Sequence, residues 1–361
     1  MKLTITQENL SRGLNIVSRI SNSPTTEILN TILLRAENGQ LELNTTNLDV
    51  FITHSTTAKI EEDGVVCIPA NLITDFVTNL PKINIKIEVT DNKLKITAGE
   101  IKSTINTINP EDFPTTPVSK FTNSLKIYSD KFKNSTNQVI NVTSSDSTRP
   151  ILTGLYMHTN KNNLYFVATD GYRLAEKNVQ EEKSEISVII PSSTISEINR
   201  LIDKLEDDIE IELNDEQIKF TINETVLISR LIDGKYISYE SLIPSSTENQ
   251  ASQDKTEFVQ TIKQADLFAR EAADLITIKT NQEKQLLEIY SITTEKGDYK
   301  NKINSTVSGD GTITLNAKYL LQALSCIEGE TVNFNFSGKL APILLTGKND
   351  NYKHIIMPVK S

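Results

Sequence analysis

Cysteine and histidine are scarce in this sequence, and the few that occur are far apart. The only cysteines are Cys67 and Cys326, and the three histidines, His54, His158 and His354, show no paired ligand spacing. This pattern excludes a zinc site. Because each cysteine lies inside an apolar run, we expect two buried free thiols in a reducing cytoplasm. The sequence predicts no metal and no cofactor.

Long hydrophobic runs are also lacking. Hydrophobic residues make up 37% of the 361 positions and charged residues 23%. No window approaches the ~20 uncharged apolar residues of a membrane span. The N-terminal segment mixes polar residues with its first apolar ones, unlike a secretory signal. We therefore expect a soluble cytoplasmic protein without a membrane partner, and its length indicates two or three domains.

Positive charge is in short supply as well. The formal net charge is −10 at pH 7, whereas a protein that grips DNA through phosphate contacts usually carries a basic surface. The charge balance argues against a conventional DNA-binding protein. It leaves room for a protein that keeps duplex DNA at a distance.

What the sequence does contain is one structural unit repeated three times. Residues 28–34 align with residues 151–157, and the match continues without a gap, at an offset of 123 positions, through Thr46 and Thr169. Both stretches alternate apolar and polar residues on either side of a polar turn, which predicts a β-hairpin. A third hairpin is expected between Leu286 and Ile303.

Each unit also carries two amphipathic helices, one that opens the unit and one that follows a short strand. The predicted helices cover residues 6–21, 70–82, 128–141, 192–204, 263–276 and 316–327. The units run over residues 1–117, 122–244 and 250–361, each with six to eight strands. The predicted fold class is α+β, with three repeated domains of two helices on antiparallel sheet. Such an arc closes as a head-to-tail dimer ring if its ends are complementary. The alternative is a duplicated domain without a common function.

Four motifs in this sequence resemble the bacterial sliding clamp family, the beta subunits of DNA polymerase III. They are TDGYRLA at 169–175, RPILTG at 149–154, LIDGKYISYESLIP at 231–244 and HIIMPVK at 354–360. The resemblance covers the whole chain in order. It implies a non-catalytic processivity factor: a homodimeric ring of clamp-type domains that encircles duplex DNA without reading its sequence. It also implies partners, namely the polymerase alpha subunit, the clamp loader and other proteins with a clamp-binding motif.

The resemblance further implies a groove for partner peptides between the second and third units. An apolar slot with a polar rim has the composition of a peptide hot spot, and methionine suits a site that accepts several peptides. The sequence departs from the family pattern at Ser23, Tyr172, Ile237 and Ser241, which leaves peptide preference and loop–DNA contact open. The matching groove residues are Leu152, Thr169, Gly171, Tyr172, Arg173, Leu174, Leu242, Asn316, Tyr319, Pro342, Met357, Pro358 and Val359.

Two more surfaces follow from the resemblance. A sliding ring needs weak, sequence-independent attraction to phosphates, and the six predicted helices hold ten Lys/Arg against eight Asp/Glu. The dimer contact is expected to involve an edge strand at 102–108 and the third unit near its first helix. The DNA-facing candidates are Arg12, Arg19, Lys131, Lys133, Arg200 and Lys204, and the dimer candidates are Ile105, Ile108, Ala272, Ala273 and Leu275.

An enzyme and a protein scaffold are the alternative interpretations. Asp170 could be a catalytic carboxylate, but no Walker A, G-x-S-x-G or G-x-G-x-x-G motif accompanies it. Aspartate in a Thr-Asp-Gly turn more often bonds its own backbone, as Asn47 can at the equivalent position of the first unit. A scaffold without DNA is separated from a clamp by the positive surplus on the helices.

Overall fold

The computed structural model describes residues 1–21, 26–115, 120–202, 208–270, 273–293, 297–348 and 350–359. Six α-helices lie in these ranges, and none of them is long and apolar enough to cross a membrane. The helices are α1 (Gln7–Val17), α2 (Ala70–Thr78), α3 (Ser129–Val139), α4 (Ser192–Leu201), α5 (Lys255–Ala269) and α6 (Ala317–Cys326). Short 3-10 helices span Ser18–Ile20, Glu27–Asn30, Pro110–Asp112, Ile140–Val142, Pro150–Leu152 and Glu240–Leu242.

The same residues form 26 β-strands, all paired antiparallel in the ladders described below. The first nine are β1 (Lys2–Thr6), β2 (Thr31–Glu37), β3 (Gln40–Thr46), β4 (Val50–Thr57), β5 (Lys59–Glu62), β6 (Gly64–Pro69), β7 (Asn84–Thr90), β8 (Lys93–Ala98) and β9 (Ile101–Asn106). The next eight are β10 (Asn123–Tyr128), β11 (Gly154–Asn160), β12 (Asn163–Thr169), β13 (Arg173–Glu181), β14 (Ser187–Pro191), β15 (Asp208–Leu213), β16 (Gln217–Ile222) and β17 (Thr225–Arg230). The last nine are β18 (Asn249–Asp254), β19 (Leu275–Asn281), β20 (Leu286–Thr293), β21 (Gly297–Asn304), β22 (Thr306–Ser308), β23 (Thr312–Asn316), β24 (Thr331–Phe336), β25 (Ile343–Gly347) and β26 (Tyr352–Ile356).

The chain packs as two compact units. The first comprises Met1–Asp130 and Ser196–Leu231, and the second comprises Lys131–Ile195 and Ile232–Ser361. The division passes through the central predicted domain. It does so because two long sheets each continue from one predicted domain into the next.

The first unit contains an eight-stranded sheet and a five-stranded sheet. Their strand orders are β10-β15-β16-β17-β4-β3-β2-β6 and β5-β1-β7-β8-β9. The eight-stranded sheet crosses from the first predicted domain to the second where β4 pairs with β17. α1 packs against α2, β3 and β4. Its buried residues are Gln7, Leu10, Gly13, Leu14 and Val17. This spacing is that of one helical face.

The second unit contains a nine-stranded sheet and a four-stranded sheet. Their strand orders are β14-β11-β12-β13-β26-β25-β24-β18-β22 and β21-β20-β19-β23. The nine-stranded sheet passes from the second predicted domain to the third where β13 pairs with β26. α5 packs against α6 and against β20 and β21. The pairing of β13 with β26 begins at Arg173, inside the TDGYRLA motif, opposite Ile356.

The repeat seen in the sequence is reproduced by the strand bounds. Adding the offset of 123 positions to the bounds of β2 and β3 gives those of β11 and β12, and it carries the first residue of β4 onto the first residue of β13. The turns match as well. Asn47 Oδ1 accepts backbone N–H bonds from two and three residues on, at 3.1 and 2.8 Å. Asp170 Oδ1 does the same at 2.9 and 3.0 Å, which confirms its predicted turn role.

The predicted helix over 263–276 is misplaced. α5 starts earlier because Asp254 caps it, accepting from the Glu257 N–H at 2.8 Å. Residues 275–281 form β19 instead, in which Ile276 and Ile278 are buried and their neighbours are more open, the period of two that a strand imposes. The expected hairpin between Leu286 and Ile303 is β20 with β21. Among the described residues the first and third predicted domains have nine strands each, one more than the predicted six to eight, and the second has eight, within the prediction.

The two cysteines differ in burial. Cys67 is buried, and burial raises the pKa of its thiol to about 11. Cys326 is half-buried at the C-terminal end of α6. The predicted burial therefore holds for Cys67 and is only partly met at Cys326.

Candidate functional site

The TDGYRLA motif forms a tight turn between β12 and β13. Thr169 Oγ1 accepts from the Gly171 N–H at 3.1 Å and donates to the Arg173 carbonyl at 2.6 Å. Gly171 has φ +92°, a left-handed conformation that favours glycine. Its equivalent in the first unit, Leu48, also has a positive φ, +78°. The turn leaves Tyr172 61% exposed and directs Arg173 inward.

Arg173 is a buried cation with partners on every side. Only 9% of it is exposed. Its Nε donates to the Asp170 carboxylate at 2.9 Å, its Nη2 donates to the Asn141 carbonyl at 3.1 Å, and its Nη1 donates to the side-chain oxygen of Gln322 on α6. The guanidinium also lies over the Tyr319 ring, with Cζ 4.4 Å from the centroid. A planar fork of fixed donors suits such a position better than an ammonium group. Arg173 thus supports the turn from behind.

The C-terminal segment runs beside the same turn. The Met357 N–H donates to the Tyr172 carbonyl at 2.9 Å, and the Val359 N–H donates to the Thr314 carbonyl at 2.9 Å. Met357 and Val359 are 39% and 37% exposed. The backbone is therefore fixed by hydrogen bonds while these two apolar side chains stay at the surface.

An open cavity of about 400 Å³ lies next to Val359. Leu340 lines it and is 63% exposed, the most exposed large apolar side chain among the described residues. Leu340 is not among the predicted groove residues, although it stands two positions before one of them, Pro342. The cavity is lined by Thr277, Tyr290, Thr312, Ile313, Thr314, Lys339, Leu340 and Val359.

The segment after β17 is anchored to the nine-stranded sheet by two tyrosines. Tyr236 and Tyr239 are buried in one cluster with Leu174 and Ile355. The Tyr239 hydroxyl lies 2.8 Å from His158 Nε2. Burial lowers the pKa of His158 and raises the pKa of Tyr239. Between and after these anchors, two apolar side chains remain exposed, Ile237 at 36% and Leu242 at 41%.

All thirteen predicted groove residues lie in the second compact unit. The structure brings Tyr172 against Met357 and Arg173 against Tyr319. Asn316 caps α6, accepting from the Lys318 and Tyr319 N–H groups at 3.0 and 3.1 Å. Leu152, Thr169, Arg173 and Leu174 are buried; Asn316, Tyr319, Pro342 and Pro358 are half-buried; Gly171, Tyr172, Leu242, Met357 and Val359 are exposed.

The imidazole of His354 is buried in β26, which pairs with β13. His354 is fully buried, with its Nδ1 2.6 Å from the Tyr352 hydroxyl. Burial, and then the nearby charge of Arg173, lowers the pKa of His354 to about 3. This imidazole is therefore neutral at physiological pH.

Stability should fall on acidification because His354 cannot take up a proton while folded. The unfolded histidine has a pKa of about 6.5, so its contribution is complete above that pH and declines as the pH falls towards 3. Between about pH 7 and about pH 5 the loss amounts to about 2 kcal/mol. Urea unfolding of His354→Asn at both pH values should show a pH dependence smaller by this amount. Parallel pH dependences of the two proteins would contradict the assignment.

Five of the six predicted DNA-facing residues are described, and they lie on or beside helices in both units. Arg12, Arg19, Lys131 and Arg200 are exposed and Lys133 is half-buried, while Lys204 lies outside the described residues. Arg200 pairs with Glu197. Over the observed helix bounds there are seven Lys/Arg against six Asp/Glu. The positive surplus is thus smaller than the sequence suggested, because Arg19 and Lys82 lie beyond the ends of α1 and α2.

The predicted dimer residues are placed unevenly. Ile105 is buried in its own unit at 5% exposure, and Ile108 is half-buried and bridges to Cys67. Ala273 is exposed in a turn and Leu275 begins β19, whereas Ala272 lies outside the described ranges. The exposed apolar residue of β9 is Ile101, at 42%. In the part of the chain that the structure describes, no cluster of His, Cys, Asp or Glu could hold a metal ion.

Comparison with known proteins covers the chain almost end to end. Family models match residues 1–117 (DNA polymerase III beta subunit, N-terminal domain), 126–237 (central domain) and 240–360 (C-terminal domain). The beta sliding clamp of Bacillus subtilis is 28% identical over 100% of both chains. That of Staphylococcus aureus strain Mu50 is 30% identical over 84% of this chain and 81% of its own. A crystal structure of the DNA polymerase III subunit beta from Pseudomonas aeruginosa superposes with a TM-score of 0.95, at 26% identity and 100% coverage of both. The chain belongs to the DNA polymerase III beta subunit family, the sliding clamps that act as processivity factors in DNA replication.

Proposed function

We propose that this protein is a non-catalytic tether, which closes around duplex DNA as a homodimer and holds the polymerase alpha subunit, the clamp loader and other clamp-binding proteins through a groove in its second compact unit. It would work in the cytoplasm, where the replication machinery acts. Family membership supports the ring. The observation that carries the groove is that exposed apolar side chains lie along the C-terminal segment, beside the TDGYRLA turn at Met357 and beside an open cavity at Val359.

Four of those side chains are linked by described contacts. Tyr172 and Met357 are joined through a backbone hydrogen bond, and Leu340 and Val359 line one cavity. All four are exposed, at 61%, 39%, 63% and 37%. Exposed apolar groups that are grouped in this way mark interaction sites. The occupant we propose is a peptide tail with one or two bulky apolar residues, which would fill the cavity beside Val359.

Arg173, one of the predicted groove residues, has a supporting role in this proposal. Three of its five N–H groups donate to Asp170, Asn141 and Gln322, and only 9% of the residue is exposed to a peptide. We assign it to the support of the turn. The floor and walls of the proposed groove would be formed by the other predicted groove residues, namely Leu152, Thr169, Gly171, Leu174, Leu242, Asn316, Tyr319, Pro342 and Pro358.

For the DNA-facing surface we retain Arg12, Arg19, Lys131, Lys133, Arg200 and Lys204. The near balance of charge on the observed helices, seven cations against six carboxylates, supports a weak hold on phosphates. A sliding ring needs such a weak hold, since strong phosphate contacts would oppose movement. Three clamp-type domains, over 1–117, 122–244 and 250–361, complete the proposal.

The dimer contact we propose joins two edge strands. β9 lies at one end of the five-stranded sheet and β21 at one end of the four-stranded sheet. Each is paired on one side only among the described strands, and an unpaired edge is a template for another chain. β21 packs on α5, the first helix of the third predicted domain. Pairing β9 of one chain with β21 of the other would cover Ile101.

Ile101→Asp should disrupt the dimer. A carboxylate buried without a partner costs several kcal/mol at each of the two contacts of a ring, so we expect the dimer dissociation constant to rise at least ~100-fold. Sedimentation velocity at micromolar concentration measures this. Leu48→Asp is the matched control, because Leu48 is exposed to a similar extent, 47%, in a turn away from β9. A monomeric wild-type protein would contradict the ring, and an intact Ile101→Asp dimer would contradict this placement of the contact.

A further inference from the structure

We propose that Tyr352 and Gln138 are positioning residues for the peptide groove, which hold the C-terminal ends of α3 and α6 against the nine-stranded sheet and thereby fix Arg173 behind the TDGYRLA turn. The inference rests on the proposed groove. It concerns side chains that are themselves buried and that are not among the predicted groove residues. All of them lie within the second compact unit.

The first observation is a chain of hydrogen bonds through Tyr352. Its hydroxyl donates to the Gln138 backbone carbonyl at 3.2 Å and lies 2.6 Å from His354 Nδ1. A tyrosine hydroxyl has one proton to give. Since that proton goes to the carbonyl, the Nδ1 of His354 must carry the hydrogen of the second bond. Tyr352 and His354 are both fully buried.

The second observation concerns two helix ends. The last carbonyls of an α-helix have no partner within the helix and are costly to bury unpaired. Gln138 stands one residue before the end of α3, and its carbonyl is the one that Tyr352 satisfies. The Gln138 side chain in turn donates from Nε2 to the carbonyl of Cys326, the last residue of α6, at 2.7 Å. Tyr352 and Gln138 thus provide hydrogen-bond donors to the C-terminal ends of α3 and α6.

Arg173 contacts α6 and the 3-10 helix Ile140–Val142, which directly follows α3. It donates to the carbonyl of Asn141, three residues after Gln138, and to the side chain of Gln322, four residues before Cys326. A shift of either helix end relative to β13 and β26 would move these acceptors away from the guanidinium. The residue before Arg173, Tyr172, accepts the N–H of Met357. A displacement of Arg173 would therefore displace both the turn and the C-terminal segment.

The consequence is that removing a hydroxyl that touches no peptide should weaken peptide binding. Tyr352→Phe deletes both hydrogen bonds of the hydroxyl and keeps the ring. We expect the dissociation constant of the full-length dimer for a fluorescein-labelled polymerase tail peptide with two bulky apolar residues to rise about tenfold. Gln138→Met, which keeps the length of the side chain and removes its donor, should act in the same direction.

The matched control is Ser305→Ala. Ser305 is also buried in the second unit, and its hydroxyl has two hydrogen bonds of 3.1 Å, to the Ser252 carbonyl and to Gln253. It should lose a similar amount of thermal stability without a change in peptide affinity. As a local signature, the Arg173 Nε–Hε resonance should be sharp in ¹⁵N–¹H spectra of the wild-type protein and of Ser305→Ala, and it should shift or broaden in Tyr352→Phe.

The outcomes separate this inference from the groove itself. If the wild-type dimer binds the peptide and both Tyr352→Phe and Gln138→Met bind it equally well, the positioning role is rejected and the groove stands. If Ser305→Ala loses affinity to the same extent, general destabilisation explains the effect and the positioning role is again rejected. If the wild-type dimer does not bind the peptide, the proposed groove fails. Should Tyr352→Phe not fold, Gln138→Met alone decides by the same criteria.

Discussion

Removal of residues 357–361 is expected to abolish binding of a polymerase or clamp-loader tail peptide while the dimer remains intact. The deletion takes away Met357, Pro358 and Val359, and with them the two exposed apolar side chains beside the turn. Truncation at a peptide hot spot costs at least ~2 kcal/mol per anchor, so two anchors predict a loss of affinity of at least ~100-fold. β26 ends at Ile356, so its pairing with β13 and β25 should persist.

Fluorescence anisotropy with a labelled tail peptide measures the loss, and sedimentation checks the dimer. The control is Leu72→Ala, which removes an exposed large side chain, 54% exposed, from α2 outside the proposed groove. Its affinity for the peptide should equal that of the wild-type protein. An unchanged affinity after the deletion would show that the C-terminal segment is not part of the binding site.

The repeat was the feature of the fold that could be predicted best, because it depends only on local alternation and on the spacing of turns. The bounds of β2 and β3 recur in β11 and β12 at the predicted offset of 123 positions. α5 was misplaced because the apolar run through Leu275 fits a helix and a strand equally well over a short window. The Asp254 cap, which marks the start of α5, would have distinguished the helix from the strand that follows it. The joints β4–β17 and β13–β26 pair residues far apart in sequence, and no local period carries that information.

The candidate site was predictable as a set of residues and not as an arrangement. The motifs include Tyr172, Arg173 and Met357. They could not show that Arg173 donates hydrogen bonds to Asn141 and Gln322, because these partners lie in two other helices, 32 and 149 residues away from Arg173 in the sequence. Leu340 was missed because an apolar residue in a short loop has no periodic signal. These residues come together only because β13 of the second predicted domain pairs with β26 of the third.

The hold on DNA should be topological, which gives the second large expected effect. A protein that makes about six to ten direct phosphate contacts loses about 10³ to 10⁵ in affinity when salt rises from about 50 to about 200 mM. A closed ring on circular DNA has no end to leave from, so its retention depends on ring opening and not on ionic contacts. The net charge of −10 adds to this expectation, because such a chain gains little from phosphate attraction.

The most direct measurement therefore compares retention on one plasmid in two forms. The protein is loaded by its clamp loader onto nicked circular duplex, washed at high salt, and followed by gel filtration before and after a single restriction cut. Encirclement predicts that the protein stays with the circle through the wash and leaves within minutes of linearisation. Salt-sensitive retention that is equal on the circular and linear forms would contradict it.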